Sequence, residues 1–250
     1  MRRILFVLTA VAATLAADAR AQSSKAAWRF SEVIDLSSST AGDPTTPANA
    51  NDTGWKTILT THIKTPSAKE LAIGVSLQCG LVTDTTVRSK NGDLDSAAAQ
   101  SRIKVRVKIT QPDGTVVFAE PDNGADLEAV LLAKDSGLTY CDRFQKLAAR
   151  FSGFNCTVDA TGAVTCADPE ELQLILKTLS AHSFEFLHAN TVPGVQTVEV
   201  QARAQSAVAL GGTSLGAAGA AAFVGAGALS VETIRLVQDA DGTTDLGNLN

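Results

Sequence analysis

Aromatic residues are scarce in this chain: one Tyr, two Trp and nine Phe make up 5% of it. Outer-membrane barrels carry aromatic girdles at both membrane interfaces, so the composition argues against one. Histidine is scarcer. His62, His182 and His188 are the three present, and none stands in H-E-x-x-H or another ligand spacing. No C-x-x-C pair or neighbouring His supports a zinc site either. No glycine-rich loop leads into a helix, which leaves nucleotide binding without a cradle for phosphate. Beyond the N-terminus, no apolar run approaches the ~20 residues that a spanning helix needs.

The N-terminus itself divides as an export signal does. Arg2 and Arg3 give a positive start, and residues 4–17 are small and aliphatic. Ala17, Ala19 and Ala21 then form two overlapping A-x-A cleavage sites, before Arg20 or before Gln22. The second leaves an ordinary mature start, so residues 1–21 are expected to be a signal peptide of bacterial type. A transmembrane anchor is the competing reading, but the run is short for a span and ends in Asp18 and Arg20. Cleavage after Ala21 removes Arg2, Arg3, Arg20 and Asp18, so 21 basic and 26 acidic residues become 18 and 25, a net charge of −7. An acidic surface repels phosphate backbones and anionic lipid, which excludes nucleic acid as a natural partner.

Four cysteines, Cys79, Cys141, Cys156 and Cys166, lie in the mature part. An even count in an exported chain reads as two disulfides, with three possible pairings. Residues 156–166 are nearly symmetric about a turn, and a hairpin there sets Cys156 across from Cys166. Cys79–Cys141 follows as the second pair and closes a much longer loop.

Period-two patterning dominates the body. Residues 28–34 suit a first strand, and the Ser/Thr/Pro-rich stretch at 35–54 suits a loop. Trp55 to Lys64 resumes the β signal, and Leu71, Ile73, Val75, Leu77 and Cys79 then alternate with smaller or polar residues. In residues 102–110, Ile103, Val105, Val107 and Ile109 face one way and Arg102, Lys104, Arg106 and Lys108 the other. The turn Gln111-Pro112-Asp113-Gly114 returns the chain at 115–119 as a hairpin. The four cations read as the solvated face of an antiparallel sheet rather than an anion-binding stripe.

Over residues 145–151, Leu147, Ala149 and Phe151 suit a strand and Phe144, Leu147, Ala148 and Phe151 a helix; the strand is expected, since it leads directly toward the Cys156–Cys166 hairpin. Asp168 as cap, Pro169 in the first turn, and Leu172, Ile175, Leu176 and Leu179 at helical spacing predict a short α-helix ending near His182. Phe184, Phe186 and His188 share a strand face, and Val198, Val200, Ala202 and Ala204 share another. Residues 229–237 change phase, which predicts a bulge near Glu232–Thr233. Residues 207–228 are nearly all Gly and Ala and are expected to form a loop, with a small-residue packing surface as the sharper reading.

The expected fold is therefore mostly β: a two-sheet antiparallel sandwich, jelly-roll-like, with one short α-helix. Residues 22–54 hold a first strand plus loop, 55–238 the sandwich body with its Gly/Ala-rich loop 207–228, and 239–250 a polar tail.

Several motifs fail on inspection. Gly212-Thr213-Ser214-Leu215-Gly216 matches the serine nucleophile elbow, but no His follows His188, so the triad order cannot exist. His62 and His182 read as surface residues and His188 as a core or edge position. Asp239, Asp241 and Asp245 resemble a calcium loop that lacks its closing Glu. Asn51-Asp52-Thr53 and Asn155-Cys156-Thr157 are sequons by pattern alone. Trp28 and Trp55 each lie at a strand beginning, where core burial is the common fate, leaving carbohydrate binding open but unsupported.

Residues 103–109, 166–172 and 194–202 together resemble segments of a group of secreted bacterial β-sandwich proteins of unknown function, across roughly residues 55–237. The resemblance implies export and a sandwich, and attaches no activity to any residue. The sequence singles out no catalytic, cofactor-binding or metal-ligating residue, and no cofactor. It leans away from an enzyme and toward an exported structural, adhesive or binding module, in the periplasm, on the cell surface or secreted. A homo-oligomer or a cell-surface partner would suit such a role. The alternative is a secreted hydrolase acting on glycans, with carboxylates brought together from separate strands. A tryptic map of the secreted protein made without reductant should contain no free thiol, and four free thiols would contradict the disulfide reading.

Overall fold

The computed structural model describes residues 25–32, 34, 36–43, 48–89, 93–122, 130–132, 136–150, 156–166, 170–189, 191–212 and 216–235. The expected signal peptide at 1–21, Asp168 and Pro169, Ser214, Asn155 and the tail at 239–250 lie outside the described residues.

Thirteen strands follow one another: β1 (Ala26–Ser31), β2 (Leu36–Gly42), β3 (Ala48–Asp52), β4 (Lys56–Thr65), β5 (Glu70–Ser89), β6 (Leu94–Thr110) and β7 (Val116–Phe118). Then come β8 (Leu138–Arg150), β9 (Cys156–Val158), β10 (Val164–Cys166), β11 (Glu170–His188), β12 (Gly194–Gly212) and β13 (Ala217–Ile234). They build two antiparallel sheets packed as a sandwich. In the first, β13 lies between β5 and the pair β1 and β2, and β11 forms the far edge beyond β5. In the second, β12 lies between β6 and the pair β3 and β4, and β7 and β8 flank β6. The chain changes sheet between β2 and β3, β4 and β5, β5 and β6, β8 and β11, β11 and β12, and β12 and β13. That path is the double Greek key of a jelly roll.

Alternation explains the core. Leu71, Ile73, Val75 and Leu77 of β5 and Leu229 and Val231 of β13 face Ile103, Val105, Val107 and Ile109 of β6 and Val198 and Val200 of β12, all buried. The hairpin expected at 102–119 is present, with Thr110 opposite Val116. The disulfide Cys79–Cys141 joins β5 to β8 across the two sheets, 62 residues apart in sequence. Closing a loop that long restricts the unfolded chain by about 4 kcal/mol in the entropic account. Beside it, the Tyr140 hydroxyl accepts from the Leu77 N–H at 3.0 Å and donates to the His182 carbonyl, tying β8 to both β5 and β11. Burial pushes the Tyr140 phenol up, against a hydrogen bond from the Leu77 backbone that pulls it down. β9 and β10 form a small separate hairpin whose register sets Cys156 opposite Cys166, as the near-symmetry of that segment predicts. The side chains of that pair lie outside the described residues.

Four expectations are corrected. The short α-helix over 168–182 is absent from the described residues: 170–188 is the strand β11, paired with β5 along its whole length. Leu172, Leu174 and Leu176 satisfy period two as well as their neighbours satisfy the helical period, and the open side of β5 decides between them by offering a ladder of backbone partners. The described part of the Gly/Ala-rich loop 207–228 is also mostly strand, residues 207–212 in β12 and 217–228 in β13. Its alanines are the reason the sheets close up there: Val87, Ala97, Ala99, Val208, Ala218 and Ala220 form a second buried cluster of mostly small side chains. Within 35–54, β2 and β3 pair with β13 and β12 as short outer strands, where few apolar residues suffice. The bulge falls between Val224 and Gly227 in the pairing with β5, upstream of Glu232–Thr233.

Phe223 shows how closely the first sheet is built. It pairs with Gly80, and its ring lies over that glycine: a Cβ there would fall 1.9 Å from Cζ of the ring. Gly80→Ala should therefore cost about 1–3 kcal/mol through forced displacement of the ring, a Tm loss of about 2–4 °C per kcal/mol for a chain of this size. Adding Phe223→Ala should recover most of that loss. Strictly additive effects in thermal unfolding would contradict this packing.

Candidate functional site

The two outer faces of the sandwich differ in kind. On the second sheet, the cations of β6 are not the solvated row that alternation suggests. Arg102 and Lys104 are fully buried. Arg102 donates from Nε and Nη2 to Asp142 Oδ2 at 3.0 and 2.7 Å. Gln100, also buried, donates to both Asp142 oxygens, while its own Oε1 accepts from the backbone N–H groups of Leu131 and Leu132 at 2.9 and 3.3 Å. Leu131 and Leu132, between β7 and β8, are thereby held against the sheet. The Arg106 guanidinium lies 4.3 Å from the Trp55 ring centroid and 4.5 Å from that of Phe118, a stacking that Arg favours. It also donates to Gln201 Oε1 at 2.8 Å. Lys108 pairs with Glu199 at 2.8 Å. Burial and the charge of Glu120 push the Asp122 carboxyl up, against the pull of Arg106 and Lys104. These groups are engaged with one another, so this face holds the fold together.

The first sheet presents the opposite surface. Trp28 and Phe30 of β1 are 57% and 68% exposed, with ring centroids 6.3 Å apart and planes inclined by 18°. Core burial, expected for Trp28, is overturned: β1 is an outer strand whose alternate side chains point away from the sandwich. Polar groups continue each ring's row across the sheet. Ser230 lies opposite Trp28, then Gly74, then Glu185. Gly74 lacks the Cβ that would fall 2.5 Å from Ser230 Oγ and 2.9 Å from Glu185 Oε1, so hydroxyl and carboxylate close over it. In the next row, Phe30 is followed by Ala228, Ser76 and Ser183, and Ser76 Oγ donates to Ser183 Oγ at 3.0 Å. The result is a flat platform: two stacked rings at one edge and a band of hydroxyls and a carboxylate beside them.

Farther along this sheet lies a groove of about 380 Å³ that includes Asp43, Asp84, Thr86 and Gln173 among small residues. Gln173 Nε2 donates to both oxygens of Asp84 at 3.0 and 3.2 Å. Neither His nor Cys lines it. Among the described residues no group of three or more His, Cys, Asp or Glu is placed to hold a metal ion. His62 and His182 are exposed, as expected, hydrogen-bonded to Thr197 at 3.1 Å and Ser180 at 2.8 Å. His188 is half-buried at the end of β11, and burial pushes its imidazole down. The disulfide Cys79–Cys141 lies in the core, away from both faces.

Among the described residues, Asp52 of β3 is the carboxylate held furthest below its usual range. Burial works to raise it, but hydrogen bonds from Arg203, Gln205 and the Gly54 N–H, with the charge of Arg203, outweigh that and hold it at about 2. A depressed carboxylate stabilises the fold above its unfolded value and loses that contribution as pH falls through the folded one. The pair is partly solvated, so its worth is about 1 kcal/mol after screening. The wild-type chain should be more stable than Asp52→Asn at pH 6 by this amount, and the gap should close between about pH 4 and about pH 2. A gap in urea unfolding that is unchanged at pH 2 would contradict the assignment.

No protein-family model and no curated protein sequence matches the chain. Among solved structures, a VP2 protein of infectious bursal disease virus in T=1 particles is similar over 91% of this chain and 46% of its own, at 13% identity and a TM-score of 0.24. A VP2 subviral particle of the same virus gives 84% and 44%, at 12% identity and 0.21. A CocE/NonD family hydrolase from Staphylococcus aureus gives 86% and 37%, at 11% identity and 0.21. The chain spans less than half the length of these proteins, and likeness at this level carries no argument about what it does.

Proposed function

We propose that the chain is an exported, non-enzymatic binding module whose contact surface is the outer face of the first sheet. The observation that carries this reading is the exposed, stacked pair Trp28 and Phe30. A large aromatic ring left in water forgoes the stabilisation of burial, about 1.5–3 kcal/mol for a Phe-sized side chain, and two adjacent rings on one flat face mark a surface kept for a partner. The band beside them narrows the chemistry. Ligands with an apolar flat side and a rim of hydroxyls can lie on the rings and hydrogen-bond to Glu185, Ser230, Ser76 and Ser183 together. Saccharides have that shape. An acidic surface favours a neutral or basic saccharide over an anionic one.

Export is supported by the expected signal peptide and by the Cys79–Cys141 disulfide, since such bonds persist in oxidising compartments. No helix among the described residues is long and apolar enough to cross a membrane.

Adsorption of the purified protein to insoluble cellulose, chitin and murein tests the reading. At least one should retain it, and Trp28→Ala with Phe30→Ala should weaken that retention at least about ten-fold while leaving the melting temperature nearly unchanged. Absence of adsorption to all three, or equal adsorption by the variant, would overturn it.

A further inference from the structure

The edge of the first sheet opposite Trp28 is β11, nineteen residues long, paired along one side by β5 and, among the described residues, on its other side at Leu187 with Glu120 alone. Natural edge strands are usually kept short, charged or covered. Over residues 171–179 the inner side of this one is leucine at 172, 174 and 176, and its outer side mixes Ile175 and Leu179 with Gln173, Lys177 and Glu171, the last paired with Arg88 of β5 at 2.7 Å. Leu172, Leu174 and Leu176 lie on the side that faces the sandwich and are 45%, 39% and 40% exposed, and Ile175 and Leu179 on the outer side are more so.

The direction of its backbone groups follows from one contact. Leu187 exchanges both backbone hydrogen bonds with Glu120, each 2.8 Å, on the side away from β5. N–H and C=O groups alternate sides along an antiparallel strand. The odd-numbered residues of β11, Glu171 through Ile175 and Lys177 among them, therefore offer their backbone groups to the open edge. A strand that completes this edge must pair odd positions with hydrogen-bonding positions of its own.

We propose that this strand is β11 of a second copy of the chain, antiparallel, about a twofold axis passing by Leu174. In that register Glu171 stands opposite Lys177 of the second copy, and Lys177 opposite its Glu171. Gln173 meets Ile175, Leu172 meets Leu176, and Leu174 meets itself. Odd residues pair with odd, so the exposed backbone groups of both strands are used, giving about eight hydrogen bonds. Shifting the register by two residues in either direction keeps parity but removes both opposite-charge pairs. A C2 interface must be self-complementary, and residues 171–177 have that property: acid at one end, base at the other, leucines symmetric between. The leucine stripes of the two copies then run together on the inner side, removing six exposed leucines from water.

The pairing goes beyond the binding reading and stands without it. Its geometry leaves the outer faces of both first sheets pointing the same way, so a dimer would present two Trp28–Phe30 platforms to one surface and bind it with avidity.

Analytical ultracentrifugation of the full secreted chain over roughly 1–100 μM tests it, a range in which pairing of this size should be visible. The wild type should sediment as a dimer. Glu171→Lys and Lys177→Glu, each alone, place like charges opposite each other twice and should weaken dimerisation at least about ten-fold. An equimolar mixture of those two variants restores two opposite-charge contacts in the heterodimer and should recover dimer. Leu174→Lys, which sets two lysines together at the axis, should be monomeric. A wild-type monomer at the highest concentration, or a dimer untouched by all three substitutions, would overturn the pairing. Failure of the mixture to dimerise where each variant is folded by circular dichroism would overturn this register. Adsorption to polysaccharide is scored separately, so a monomer that still adsorbs would sink the pairing alone, and a dimer that adsorbs to none would sink the saccharide reading alone.

Discussion

The fold depends on backbone hydrogen bonding along very long strands. β5 runs for 20 residues and β12 for 19, lengths of roughly 65 Å at about 3.3 Å per residue. Every N–H and C=O along a buried strand needs a partner, so each long strand requires neighbours of matching reach. β5 takes β11 on one side and β13 on the other. β12 takes β6 on one side and, on the other, β4 and β3 in succession. This requirement accounts for segments whose own composition argues otherwise, including a Gly/Ala tract and a stretch with a helical pattern of leucines.

Width varies along that length. Branched aliphatic side chains from both sheets fill the larger core, whereas the second cluster is mostly alanine beside Val87 and Val208. Small side chains bury little apolar area each, so the alanine end gains its stability chiefly from the continuity of its ladders. The Cys79–Cys141 bond and the Tyr140 hydroxyl fasten β8 to the first sheet in the other region. The connection between β7 and β8 is held by Gln100 and, through Asp142, by Arg102. Removing Asp142 would leave a buried guanidinium short of its counter-charge, a costlier change than losing a surface pair.

The two outer faces divide the labour. Most ionic and both cation–aromatic contacts among the described residues occupy the second sheet, whereas the first carries the Arg88–Glu171 pair and is otherwise flat, with glycines where side chains of neighbouring strands lean across it. Gly74 under Glu185 and Ser230, and Gly80 under Phe223, make that flatness possible. The platform at one edge and the open strand at the other then lie on the same surface of the molecule.

Much of the architecture was legible in the residues. The β6–β7 hairpin follows from strict alternation and a Pro-Asp-Gly turn, and the Cys79–Cys141 pair was reachable by elimination once Cys156 and Cys166 were set across a hairpin. The sandwich follows from many short-period segments. Other features were not legible, because local pattern is degenerate. Leu-Gln-Leu-Ile-Leu at 172–176 satisfies both periods, and only the unfilled side of β5 selects strand. Ala and Gly have low strand propensity, yet pairing on both sides overrides it. Arg102 and Lys104 alternate as a wet face would, yet both are buried. Trp28 read as core because a strand's inward side cannot be told from its outward side without the opposing sheet. By itself, then, the sequence determined the period-two alternation, the turns, and the acidic charge, since each depends on neighbours in the chain. Which face is covered, which edge is open, and which residues remain in water were decided by tertiary structure, because those depend on what packs against each strand from far away in the chain.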